Sequence, residues 1–186
     1  MRFPEFLKEH GTIGFVAPSF GCATEPYYTA FAHARERFGQ MGYHTQMGSN
    51  CLVDKGIGIS NDPALCGKEL NESYCGTEND VIISCGGGEL MCEVVPYIDF
   101  AGIAQAKPKW YMGFSDNTNF TFLSATIADT AAFTDRAQPR LEWNRGIRPC
   151  RTHWICFAER LPVCIIMICG RKNLSKMKNI RWRRIM

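Results

Sequence analysis

Three short apolar runs each end in a turn and lead into a stretch of helical spacing, and this alternation limits the architectures open to the chain. GTIGFVAP at 11–18 stops at a proline and a loop over 19–26 follows. DVIIS at 80–84 stops at the turn Cys85-Gly86-Gly87-Gly88, and KWYMGF at 109–114 stops at Ser115. Between the first two runs, Tyr28, Phe31, Ala32, Ala34, Phe38 and Met41 fall near helical spacing, and Gly42 closes that stretch. Residues 43–47 read as a short second strand, 48–62 as a loop, and a helix with Leu65 and Leu70 on one face runs to Asn79. Two further helical pieces, 89–97 and 98–107, precede Pro108, and Ser115 opens a helix to about Ala132 that carries both Asp116 and Asp129. Strand alternating with helix predicts an α/β fold: a flavodoxin- or Rossmann-like, mostly parallel sheet with helices on both faces.

Composition narrows the classes further. The chain has 186 residues, room for one domain or for one domain and a fragment. Its 46% hydrophobic and 21% charged residues exclude a disordered chain. The longest apolar run, LPVCIIMIC, is about half the roughly 18 residues of a membrane-spanning helix, so no membrane partner is expected. MRFPEFLKEHG has no apolar core of a secretory signal, and the ten cysteines form no C-x-x-C pair. The expectation is a cytoplasmic protein with free thiols. His10, His33, His44 and His153 make no pair at metal-ligand spacing, so no metal is expected. Gly56 and Gly58 lack the third glycine of a dinucleotide fingerprint, and no phosphate-loop sequence is present, so no cofactor is expected either.

Two positions carry candidate chemistry. Ser115 stands where an apolar strand turns into a helix, the place where ligands and nucleophiles gather in open α/β sheets. It is either an ordinary helix N-cap or a nucleophile on a sharp turn, with the Asp116 amide after it available to an oxyanion. The G-x-S-x-G pattern is not met, because Asn117 takes the place of the last glycine. The run Gly86-Gly87-Gly88 is either a tight turn or an anion-binding nest of backbone amides. Both follow parallel strands, so they can face one crevice, where Gly86 or Gly87 supplies a second oxyanion donor.

The stretch YIDFAGIAQAKPKWYMGFSDNTNFTFLSATIADTAA (97–132) closely resembles peptidase family S66, the LD-carboxypeptidases and microcin C self-immunity proteins. GTIGFVAPS, CGGG and PYIDF match that family in the same order, so the resemblance covers about residues 1–132. It implies a serine hydrolase with a Ser-His-Glu triad, in which Ser115 is the nucleophile and the Asp116 and Gly87 amides bind the oxyanion. Gly86 and Gly88 are then substrate-binding backbone. The Glu and His come from a C-terminal domain. The resemblance also implies a small peptide or aminoacyl-nucleotide amide as substrate, and a homodimer. The wording KWYMGFSDNTNFTFL is nearer the microcin-immunity branch.

The resemblance stops near Phe133. Residues 1–133 carry 8 basic and 15 acidic side chains, whereas residues 134–186 carry 13 basic and 3 acidic. Back-translating 133–157 and reading one base out of phase allows YGPCAAPAGMEPWHPAMQDALDLLC, which resembles the family's continuation. The expectation is that a shifted frame replaces the catalytic second domain with an aberrant basic tail over 133–186, leaving a truncated, inactive peptidase. Two rivals stand beside it. One is a nucleic-acid-binding protein using the basic tail, although its Cys, Trp and CIIMIC content fits aggregation better than recognition. The other is a non-catalytic α/β ligand-binding module that keeps the glycine turn and has no use for Ser115.

Overall fold

The computed structural model describes residues 1–56 and 58–134. Five strands form one sheet: β1 (Thr12–Val16), β2 (His44–Met47), β3 (Val81–Ser84), β4 (Trp110–Gly113) and β5 (Phe133–Thr134). Their order is β2-β1-β3-β4-β5 and every pairing is parallel. Register runs Ile13 opposite Thr45 and Val81, and Val81 opposite Trp110. This is the flavodoxin-like strand order, which places its crevice outside the carboxyl ends of the strands.

Strand alternation sorts the core into two layers. Ile13, Phe15, Val81, Ile83, Trp110, Met112 and Phe133 face one side, where Phe31 and Phe38 of α1 (Tyr27–Gln40) and Leu7 cover them. Val16, Ile82 and Tyr111 face the other. There they meet α2 (Pro63–Cys75), α3 (Met91–Val94), α4 (Phe100–Gln105) and α5 (Thr118–Thr126), through Leu70, Tyr74, Val94, Ile103 and Phe120. A central strand buried on both faces needs a near-continuous apolar run, and VIIS and WYMG supply it.

Local chemistry sets the helix ends. Asp62 accepts the Ala64 amide and Pro63 opens α2, while Asp99 accepts the Gly102 amide at the start of α4. Helix α1 stops because Gly42 turns left-handed at φ +87°, which lets the Tyr43 amide return to the Phe38 carbonyl at 3.0 Å.

Several expected boundaries shift. Helix α2 ends at Cys75 instead of Asn79, because Gly76 is extended and the chain must run back to β3. The expected helix 89–97 is α3 followed by a 3-10 turn, Val95–Tyr97, with Pro96 inside it. The helix after Ser115 begins as a 3-10 turn, Ser115–Asn117, and α5 ends at Thr126, not near Ala132. Asp129 therefore does not share a helix with Asp116: it lies in the return to β5 at φ +50° and pairs with the Met1 ammonium at 2.8 Å. That return is held by Arg2, whose guanidinium donates to the Ile103 and Ala106 carbonyls and to Thr130 Oγ1. Strand β5 begins past the boundary expected at 132, and Phe133 packs against Trp110 with ring centroids 4.4 Å apart. His153 and the expected tail beyond Thr134 lie outside the described residues.

Candidate active site

The loop after β1, the loop 48–62, the turn after β3 and the turn after β4 converge at the carboxyl end of the sheet. Phe20 N donates to Gly87 O at 3.0 Å, Ser60 N to Ser19 O at 2.6 Å, and Glu89 N to Gly58 O at 3.1 Å. Ser115 follows β4 directly and takes φ +59°, a left-handed conformation that costs a non-glycine residue about 1–2 kcal/mol. The turn leaves Phe114 and Ser115 exposed while Asn117, two residues on, is buried. A serine on such a turn presents its hydroxyl outward from a rigid scaffold.

The glycine turn lies beside it. A Cβ on Gly87 would stand 3.0 Å from Ser115 Cβ and 3.3 Å from the Phe114 carbonyl oxygen. The structure thus brings Ser115 and Gly87 together, as strands β3 and β4 are neighbours. The flanking glycines face elsewhere. A Cβ on Gly86 would meet the Phe20 backbone, and one on Gly88 would collide with Ser19 Oγ and the Gly58 carbonyl oxygen. Among the described residues the Gly87 amide has no hydrogen-bond acceptor, and Asp116 N–H lies in the first turn of its helix, where amides lack an intrahelical partner.

Asp116 was expected for its backbone, yet its side chain also ties loops together. Oδ2 accepts from Ser19 Oγ at 2.5 Å and from Met91 N at 2.8 Å, and Oδ1 accepts from Asn119 Nδ2 at 3.1 Å. Asn117, read in the sequence only as a missing glycine, bridges Tyr111 OH and the Gly86 carbonyl. Glu69 is a further residue that sequence reasoning missed. Its buried carboxylate accepts from Ala17 N at 2.8 Å and Asn50 N at 2.7 Å, bracing two of the site's loops from below. Burial raises its pKa above the ordinary carboxylate value despite those two amides. The one available signal was an acidic residue next to Leu70 on the apolar side of α2.

Other nucleophiles and ligands are poorly served. Cys85 is buried against Cys22 and Cys51, and burial foremost holds its thiol well above the ordinary value, so it stays protonated. Among the described residues Ser115 Oγ has no hydrogen-bond partner. His10 precedes β1 and His44 opens β2, both at the end of the sheet opposite Ser115, and His33 lies on the exposed side of α1. Among the described residues no group of three His, Cys, Asp or Glu could hold a metal ion, and no helix is long and apolar enough to cross a membrane.

Solved structures share this fold. MccF in complex with glutamyl sulfamoyl guanosine superposes with a TM-score of 0.66 at 22% identity, covering 73% of this chain and 39% of that one. The microcin C7 self-immunity protein MccF in its wild-type apo state gives 0.64 at 22%, covering 73% and 40%. An MccF-like protein from Bacillus anthracis gives 0.65 at 19%, covering 74% and 41%. The chain therefore spans about two fifths of the length of these proteins. No curated protein matches it. The family model for the LD-carboxypeptidase N-terminal domain matches residues 13–134, from β1 through β5 and across the whole convergence of loops at Ser115, and on that match the chain belongs to the LD-carboxypeptidase family, peptidase family S66.

Proposed function

We propose that the chain carries the nucleophile half of a serine amide hydrolase of the microcin-immunity type. The observation that carries this reading is Ser115 at φ +59° on the turn after β4, with Gly87 against its side chain. In that reaction Ser115 Oγ attacks the amide carbonyl carbon and its proton passes to a general base. The tetrahedral oxyanion then collapses as the base returns that proton to the leaving nitrogen, which departs neutral and leaves an acyl-serine that water hydrolyses. The Asp116 and Gly87 amides bind the oxyanion, each worth about 3–4 kcal/mol. Gly86 and Gly88 hold the backbone on either side of that donor against substrate.

Substrates of this reading are small peptide or aminoacyl-nucleotide amides. The support is that MccF has been captured with glutamyl sulfamoyl guanosine and with aspartyl sulfamoyl adenosine. The same reading makes the protein a cytoplasmic homodimer. The base and its orienting carboxylate belong to a second domain, and residues 133–186 are an out-of-frame replacement for it. As written, the chain is then inactive, because a serine hydroxyl is a weak nucleophile until a base takes its proton.

Turnover of an aminoacyl-sulfamoyl adenosine tests this. The chain as written should show none. Restoring the frame after Ala132 should recover turnover, and Ser115→Ala in the restored enzyme should remove about 10⁴–10⁶ of it. Restored turnover that survives Ser115→Ala overturns the nucleophile; turnover by the unrestored chain, lost on Ser115→Ala, overturns the inactivity.

A further inference from the structure

The peptide unit joining Gly86 to Gly87 is held from one side. Its carbonyl oxygen accepts from Asn117 Nδ2 at 2.7 Å and from Ser84 Oγ at 3.0 Å. Asn117 is fully buried, and its Oδ1 accepts the Tyr111 hydroxyl at 2.5 Å while Nδ2 also donates to the Phe114 carbonyl at 3.2 Å. These partners decide which way the side-chain amide faces. Its NH₂ meets two carbonyl oxygens that only accept, and turning it over would set oxygen against oxygen. Tyr111 is itself buried, so the whole chain of bonds from Tyr111 through Asn117 to Gly86 runs inside the protein.

A trans peptide is planar, with its N–H directed opposite to its C=O. With the Gly86 carbonyl drawn down to Asn117 and Ser84, the Gly87 N–H points away from them. Glycine on both sides of this peptide leaves no Cβ to choose between its two orientations, so the backbone alone does not set them. We propose that Asn117, anchored by Tyr111, is the positioning residue that holds the Gly86–Gly87 peptide with its N–H turned toward the reacting carbonyl at Ser115. This rests on the reading of Gly87 as an oxyanion donor and adds what keeps that donor in place. The opposite orientation would remove a donor and set a carbonyl oxygen against the developing negative charge.

The test uses the full chain labelled with glycine carrying carbonyl carbon-13 and nitrogen-15. The only Gly-Gly steps in the sequence are Gly86–Gly87 and Gly87–Gly88, so a carbonyl-to-amide correlation spectrum isolates them. Cross-relaxation from the Gly87 amide proton to the Cβ protons of residue 115 then reads which way the N–H points, because a flip of the peptide carries that proton to its other side. Asn117→Leu keeps the forked side chain and removes all three bonds of its amide. The expected result is loss of the Gly87–Ser115 cross-peak while the cross-peaks within β1 and β3 stay as they were. Ser115→Ala should keep it, now to the alanine methyl. An unaltered cross-peak in folded Asn117→Leu overturns the proposal. Asn117→Ser, whose hydroxyl stops short of the Gly86 carbonyl, serves the same purpose if the leucine variant does not fold. In the frame-restored enzyme, Asn117→Leu should lower kcat about 10²–10³-fold with KM little changed, as for loss of one oxyanion donor. A restored enzyme that never acylates Ser115 would sink the hydrolase reading and leave the cross-peak result standing. Full kcat with a reoriented peptide would sink the positioning role.

Discussion

Glu69 shows how one side chain couples the site to its solvent conditions. Its carboxylate is enclosed by the loop after β1 and by Asn50, with two backbone amides on its oxygens. Burial is the largest influence on it and raises its pKa, so the folded protein binds this proton more tightly than the unfolded chain. Between the ordinary value of 4.5 and the raised one, the folded state therefore holds more protons, and stability falls as pH rises through that window. Thermal midpoints measured across it should decline with rising pH, and Glu69→Gln should flatten the decline. The same variant should lower stability at neutral pH, since its one oxygen can accept only one of the two amides and its NH₂ sets a donor against the other. A pH profile identical in both proteins would show that Glu69 is not the group that titrates. At Ser115 the relevant quantity is backbone strain, and at Gly87 it is the lack of a side chain; neither is a charge.

At the scale of an element, the carboxyl end of α2 depends on a residue from another strand. Lys109, at the start of β4, is buried, and its Nζ donates to Ser73 O at 3.0 Å, Gly76 O at 2.7 Å and Asn79 Oδ1 at 3.0 Å. Helix ends leave carbonyls without intrahelical partners, and a cation there also meets the negative end of the helix dipole. Burial lowers the lysine's pKa, which is the cost of placing an ammonium in this position. Lys109→Met should destabilise the fold by about 2–4 kcal/mol, because it leaves the Gly76 carbonyl and the Asn79 side-chain oxygen without their donor, while Ser73 O keeps only Asn79 Nδ2. Urea denaturation measures it; a loss under about 0.5 kcal/mol would place the variant with ordinary surface changes and remove Lys109 as the cap. The expected helix running on to Asn79 misses this arrangement. In NESYCGTEN only Gly76 marks the stop, and the lysine that satisfies the freed carbonyl is 33 residues away.

The described residues of the molecule form a five-stranded sheet with two apolar layers, closed at β5 and at the Arg2 bonds that tie the first residues to α4 and to the return from α5. On the proposed reading, everything this core needs lies within residues 1–134. A chain ended after Thr134 should therefore unfold with the same urea midpoint and slope as the full chain. A clearly lower midpoint would show that residues 135–186 contribute to the folded unit and would sink the out-of-frame account of them.

The class of fold was legible in the residues because it rests on local periodicity. TIGFV, VIIS and WYMG are runs that only strands buried on both faces use, and the stretches between them have helical spacing. Ser115 and the glycine turn were legible for a related reason: each ends an apolar run, and in this architecture the ends of strands meet. The boundary at β5 was not legible, since two residues carry no period and Phe133 counts as a strand only because Trp110 and Met112 lie beside it. The functions of Asn117, Ser19 and Glu69 were hidden as well. Each is a common polar residue whose role depends on at least one partner between 19 and 97 positions distant in the chain. A polar side chain specifies nothing by its own type; its hydrogen bonds have direction, and only the closed sheet decides which donor meets which acceptor.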